Sequence, residues 1–142
     1  MNGFTSPTYT LVADNAPDVN AKQYAVTAVG GTQPGVSIHT LSSPFFISAW
    51  KPKVYAVLGK PNPVTGLITN VPNNEFKVVT QKGVTPAAGQ PVKKMTIRTI
   101  VDVPAGADTY DWANIRAALS AHIGALSSAG QGFGDTVIQG LL

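Results

Sequence analysis

The sequence predicts an α+β fold, with an antiparallel sheet built first and helices added at the C-terminal end. Three observations carry that expectation. Residues 1–104 are rich in Val, Ile, Thr, Phe and Tyr, in short runs cut by Pro, Gly and Asn, which is the pattern of strands and turns. After Pro104-Ala105-Gly106 the apolar residues recur at helical spacing. Strands come first and helices last, the order of an α+β arrangement. One unit is expected over 1–142, with sheet in 1–104 and a helical segment in 105–142.

Strands are expected at 8–13, 23–29 and 36–41, the first stopped by Asp14-Asn15-Ala16-Pro17 and the second by Gly30-Gly31. A long run at 45–58 contains Pro52, which cannot donate to a ladder, so a bulge or an edge is expected there. Gly59-Lys60-Pro61-Asn62-Pro63 reads as a turn, and 67–71 as a further strand segment before Pro72-Asn73-Asn74. Runs at 75–82 and 93–103 form a pair across a loop at 83–91. Asp108 or Thr109 is a candidate helix cap, with Asp111 in the first turn, where a negative charge is favourable. Trp112, Ile115, Leu119, His122, Ile123 and Leu126 then mark one helix face, Gly130 ends it, and Asp135 caps a short helix at 136–141.

Composition bounds the function. Hydrophobic residues make up 44% of the 142 residues and charged residues only 12%, against roughly 25% charged in an ordinary soluble domain. Such a chain favours burial of surface between subunits, and a surface rich in Thr, Ser and Asn is the alternative account. The net charge of +3 and pI near 9.3 are mildly basic. With no cysteine, disulfides, thiolate metal sites and cysteine nucleophiles are excluded. The start has no basic n-region or apolar h-region, so no signal peptide is expected, and no apolar run approaches a membrane span. A helix of about 17 residues spans roughly 25 Å, too little to cover a wide sheet. Its apolar face therefore calls for a second copy of the chain, related by a twofold axis.

Alternation separates the two faces of the last two strands. Phe76 and Val78 fall on one face with Met95, Ile97, Thr99 and Val101. Lys77 and Gln81 fall on the other with Lys94, Thr96 and Arg98. The apolar set must meet the helices, which leaves a cationic face open. Such a face suits phosphate neutralisation, with Thr and Gln available to bases. It equally describes an ordinary solvated outer face.

The stretch Lys93-Lys94-Met95-Thr96-Ile97-Arg98-Thr99-Ile100-Val101-Asp102-Val103-Pro104, followed by residues 112–126 and 135–142, resembles the coat proteins of single-stranded RNA bacteriophages. Phe4-Thr5 and Tyr9-Thr10-Leu11-Val12-Ala13-Asp14-Asn15 are similar to that family's opening hairpin. The resemblance implies an N-terminal β-hairpin, a five-stranded antiparallel sheet and two C-terminal helices, in an interlocked homodimer with one continuous sheet. It implies icosahedral assembly in the bacterial host cytoplasm into a virion, and binding of genomic RNA on the inner sheet face. In several members that face also grips an RNA hairpin and represses translation. By position, the RNA-binding residues would be Ser48, Glu75, Lys77, Lys94, Thr96 and Arg98, and the 83–91 loop would sit at symmetry axes. One departure is region 53–74, longer than the family's turn between the fourth and fifth strands; it reads as an extended hairpin reaching outward or over a neighbour.

No enzyme, cofactor, metal, membrane or small-molecule substrate is expected. Gly130-Gln131-Gly132-Phe133-Gly134 follows a helix rather than a strand, so it reads as a turn and not as a dinucleotide fingerprint. His39 and His122 stand alone, and His122 reads as a packed residue of the apolar helix face. Asp14 and Asp18 read as turn residues rather than a cation site. The alternatives to a capsid subunit are a dimeric RNA-binding regulator without a shell and a small ligand-binding β domain. Loss of the 83–91 loop leaves quaternary state unchanged only for the regulator, and bound RNA counts against the ligand-binding domain.

Overall fold

Five strands form one antiparallel sheet whose spatial order is the chain order: β1 (Tyr9–Asp14), β2 (Ala21–Val29), β3 (Phe45–Trp50), β4 (Asn73–Val84) and β5 (Lys93–Pro104). Two helices follow, α1 (Ala107–Tyr110) and α2 (Trp112–Ser128). The computed structural model describes residues 9–14, 21–29, 35–128, 137 and 140. The turns expected at 15–17 and 30–31, Asp18, Gly130 and the 136–141 helix apart from residue 137 lie outside the described residues. β1 and β2 are the N-terminal hairpin and also the first two strands of the sheet.

Two expected strands are absent: residues 36–41 and 67–71 form no ladder, and 67–71 is held at its ends, by bonds from Asn62 N–H to Leu67 O and from Gly59 N–H to Asn70 O. β3 pairs with β2 only over Ala21–Ala25, and 36–41 is tied to the end of β2 by one backbone bond, from His39 N–H to Val26 O at 2.8 Å, while Thr40 N–H donates to Ser43 O at 3.1 Å and turns the segment away. The imidazole of His39 then accepts from Phe45 N–H through Nδ1 at 3.1 Å and lies 4.1 Å from the Phe46 ring, centroid to centroid. β3 stops at Trp50, two residues before Pro52, so the expected bulge is a strand end.

Residues 51–72 leave the sheet between β3 and β4 as a long arm. Its root is tied by the buried Asn74 side chain, which acts as a surrogate backbone. Its Oδ1 accepts from Ala56 N–H at 2.8 Å and its Nδ2 donates to Ala56 O at 3.4 Å. Ala105 N–H donates to Pro72 O at 2.8 Å. Leu58 packs against Gly106, whose φ of 85° and lack of Cβ permit both the turn and the contact; a Cβ there would lie 2.6 Å from Leu58 Cδ1. Asn74→Ala removes both tethers, and leaving Ala56 N–H and C=O without partners costs about 1–3 kcal/mol. Faster tryptic cleavage after Lys53 is the expected readout, since Lys60 is shielded by Pro61, and unchanged cleavage would show that Asn74 does not hold the arm.

The expected single helix start is divided. Gly106 precedes the one-turn α1 without any side-chain cap, and Asp111, at φ −135° and ψ 41°, breaks the path before α2. The Asp111 carboxylate accepts from Asn114 Nδ2 at 2.8 and 3.0 Å. Neither Asp108 nor Thr109 caps a helix; Asp108 instead lies in the first turn of α1.

α2 lies beside the sheet but is barely buried by it. Ile115 and Leu119 are half-buried, whereas Trp112, Ile123 and Leu126 are 56%, 62% and 42% exposed. His122, expected to be packed, is exposed and lines a cleft between α2 and β5. The chain presents 10657 Å² of surface, where a compact monomer of its mass presents about 6,900 Å². Among the described residues, only Val26, Phe45, Val103 and Ala105 are buried apolar residues.

Candidate nucleic-acid interface

Directly opposed residues of an antiparallel pair point to the same side of the sheet, so the ladder register assigns every strand residue to a face. Phe76 opposes Val101, Val78 opposes Thr99, Thr80 opposes Ile97, and Ala49 joins them from β3. Phe76, Val101 and Val103 line an apolar cleft with Trp112, Ile115 and Leu119, so this is the α2 side. The opposite face carries Lys77 against Ile100, Val79 against Arg98 and Gln81 against Thr96. Glu75 opposes Asp102, Gly83 opposes Lys94, and Ser48 opposes Val79 from β3. All six residues expected from the sequence therefore share the face turned away from α2.

Four of the six also share a depression of about 380 Å³, formed by Ser48, Glu75, Lys77 and Arg98 with Trp50, Val79, Gln81 and Ile100. Thr96 stands beside it, opposite Gln81, and Lys94 lies two residues further along β5. The sequence reading missed Trp50. Its two-residue spacing from Ser48 was the available signal, since alternate residues of a strand share a face. Lys51, in the coil after β3, lines an adjoining cleft with Trp50, Glu75 and Lys77.

Lys77 is the centre of the depression. Its Nζ lies 5.2 Å from the centroid of the Trp50 ring and 3.7 Å from Glu75 Oε1. Its side chain is 39% exposed and that of Glu75 is 55% exposed. A cation–π contact and an ion pair this open are each worth about 1 kcal/mol or less. Neither would hold Lys77 against an arriving phosphate, and its departure uncovers the indole as a flat apolar platform. Charge is graded along the face: Glu75 and Asp102 adjoin at one end, and Arg98 and Lys94 lie toward the other. Among the described residues no group of three or more His, Cys, Asp or Glu could hold a metal ion. None of the described helices is long and apolar enough to cross a membrane.

No protein-family model and no curated protein matches the chain. Solved structures do. A chain in the virus-like particle of bacteriophage ESE020 is 52% identical, with a TM-score of 0.90, and the match covers 99% of this chain and 92% of that one. A chain in the virus-like particle of Beihai levi-like virus 32 is 13% identical with a TM-score of 0.55, covering 94% of this chain and 88% of that one, a likeness of fold alone.

Proposed function

The chain belongs to the coat proteins of the levi-like, single-stranded RNA bacteriophages, and from that premise we propose that the open face of its sheet binds genomic RNA inside the shell. As a member of that family it is a capsid subunit that assembles with copies of itself, a structural protein and not an enzyme. Its place is the virion, and assembly is assigned to the cytoplasm of the bacterial host.

One observation carries the RNA reading: Lys77, Lys94 and Arg98 share a face with Ser48, Thr96, Gln81 and Trp50. The cations suit the phosphate backbone, which dominates affinity and carries no sequence information. The hydroxyls and the amide suit base edges, and Trp50 suits stacking of an unpaired base. Glu75 forms an ion pair with Lys77 in the free protein and accepts from an exocyclic amine in a complex. The same groups would serve to grip one RNA hairpin and repress translation.

The unit presented to RNA is taken to be a twofold dimer. β5 is a 12-residue edge strand with no partner on its outer side among the described residues. A long open edge invites a further strand, and two such edges paired antiparallel make one continuous sheet. The exposed face of α2 then closes over the partner.

Expression of the chain alone is expected to yield closed particles containing nuclease-protected RNA, seen by electron microscopy and by absorbance at 260 nm. Particles that form empty would leave the capsid role intact and remove the RNA role.

A further inference from the structure

We propose that the arm formed by residues 51–72 is a contact between dimers in the shell, and that its occupant is a second copy of this chain. The proposal rests on the shell reading and goes beyond it. The arm has an apolar surface with nothing over it: Val54 is 82% exposed, Val57 78%, Val64 90% and Leu67 67%. Its 22 residues include Lys51, Lys53 and Lys60 and no acidic residue. Even a two-stranded hairpin exposed on both sides is at best marginally stable in water, and this arm has no strand pairing and presents branched aliphatic side chains to it.

The arm is nevertheless shaped. Gly59 N–H donates to Asn70 O at 3.0 Å, and Asn62 N–H donates to Leu67 O at 2.8 Å. At the tip, Asn62 Oδ1 accepts from Val64 N–H at 2.8 Å and from Thr65 N–H at 3.3 Å, and Gly66 supplies the positive φ of 70° that closes the turn. Pro61 and Pro63 restrict φ on both sides of Asn62. Much of the ordering cost of a contact is thus met before the contact forms.

Reach and chemistry select the occupant. From Ala56 at the root to Val64 at the tip, eight residues extend up to about 26 Å. Among the described residues the contacts of the arm with the rest of the chain lie at its root, through Asn74, Gly106, Ala105 and the Tyr55 ring, 6.2 Å from that of Phe76. That root adjoins the cleft which α2 shares with the sheet, so the arm continues the surface assigned to the dimer and carries it outward. RNA is a poor match for a tip with one cation, Lys60, and no aromatic residue beyond Tyr55. An aliphatic surface on another subunit of the shell is a good one.

The test uses the full chain, a variant with 60–69 replaced by a two-residue turn, and the double variant Val64→Asp, Leu67→Asp, which keeps the Asn62 turn. Sedimentation and electron microscopy are expected to show dimers of normal mass in both variants, with the yield of closed particles reduced at least tenfold. Particles at wild-type yield and thermal stability would overturn the proposal. So would loss of the dimer in the double variant, which would place the arm inside the dimer. Failure of the wild-type chain itself to form particles would overturn the shell reading and this proposal with it.

Discussion

Replacing Ile123 and Leu126 together by serine is expected to convert dimers to monomers at micromolar concentration and to abolish particles. Both side chains lie on the outer part of α2, 62% and 42% exposed, and a single copy of the sheet does not cover them. Full burial of such a side chain is worth about 1.5–3 kcal/mol. Roughly half of that remains to be gained on association. A twofold interface counts each substitution twice, so the loss is about 3–6 kcal/mol, or on the order of a hundredfold to ten-thousandfold in dissociation constant. Sedimentation equilibrium measures this directly. Dimers that persist with wild-type affinity would mean that α2 faces solvent in the assembly.

The second large effect concerns the open face. With Lys77, Lys94 and Arg98 all changed to alanine, dimers and particles are expected to form but to retain little RNA. Single-stranded nucleic acid releases counterions with a slope of about −0.7 per phosphate neutralised, so losing three contacts flattens the plot of log affinity against log salt by roughly two units. Weaker binding with an unchanged slope would point to lost packing around Trp50, on which Lys77 rests, and not to lost phosphate contacts.

The faces of β4 and β5 were legible because all their Lys and Arg residues within 76–81 and 94–101 fall on one face, although Val79 and Ile100 share it, and a buried face favours one register. The 12% charge and the unburied helical stripe likewise announced a chain made to be covered by copies of itself. Ser48 was named through the resemblance, and its face follows from the pairing of β3 with β4, which no local pattern encodes. Residues 36–41 have good strand composition, yet a single backbone bond, from His39 N–H to Val26 O, ties them to β2; strand propensity states what a segment tolerates, and tertiary context decides whether a ladder forms. Trp50 was passed over because Pro52 blurred the end of its strand. The break at Asp111 depends on a backbone conformation that helical periodicity does not register.

The chain-order sheet has a consequence for how the protein is made. Each strand pairs with the one synthesised just before it, so the ladder can grow strand by strand as the chain emerges, without waiting for any later strand. α2 is completed after the whole sheet, and most of its apolar side chains have no place to go within the same molecule. In the proposed dimer the last step of folding is second order in protein. Stability rises with the concentration of finished chains, and translation of the message sets when assembly can begin.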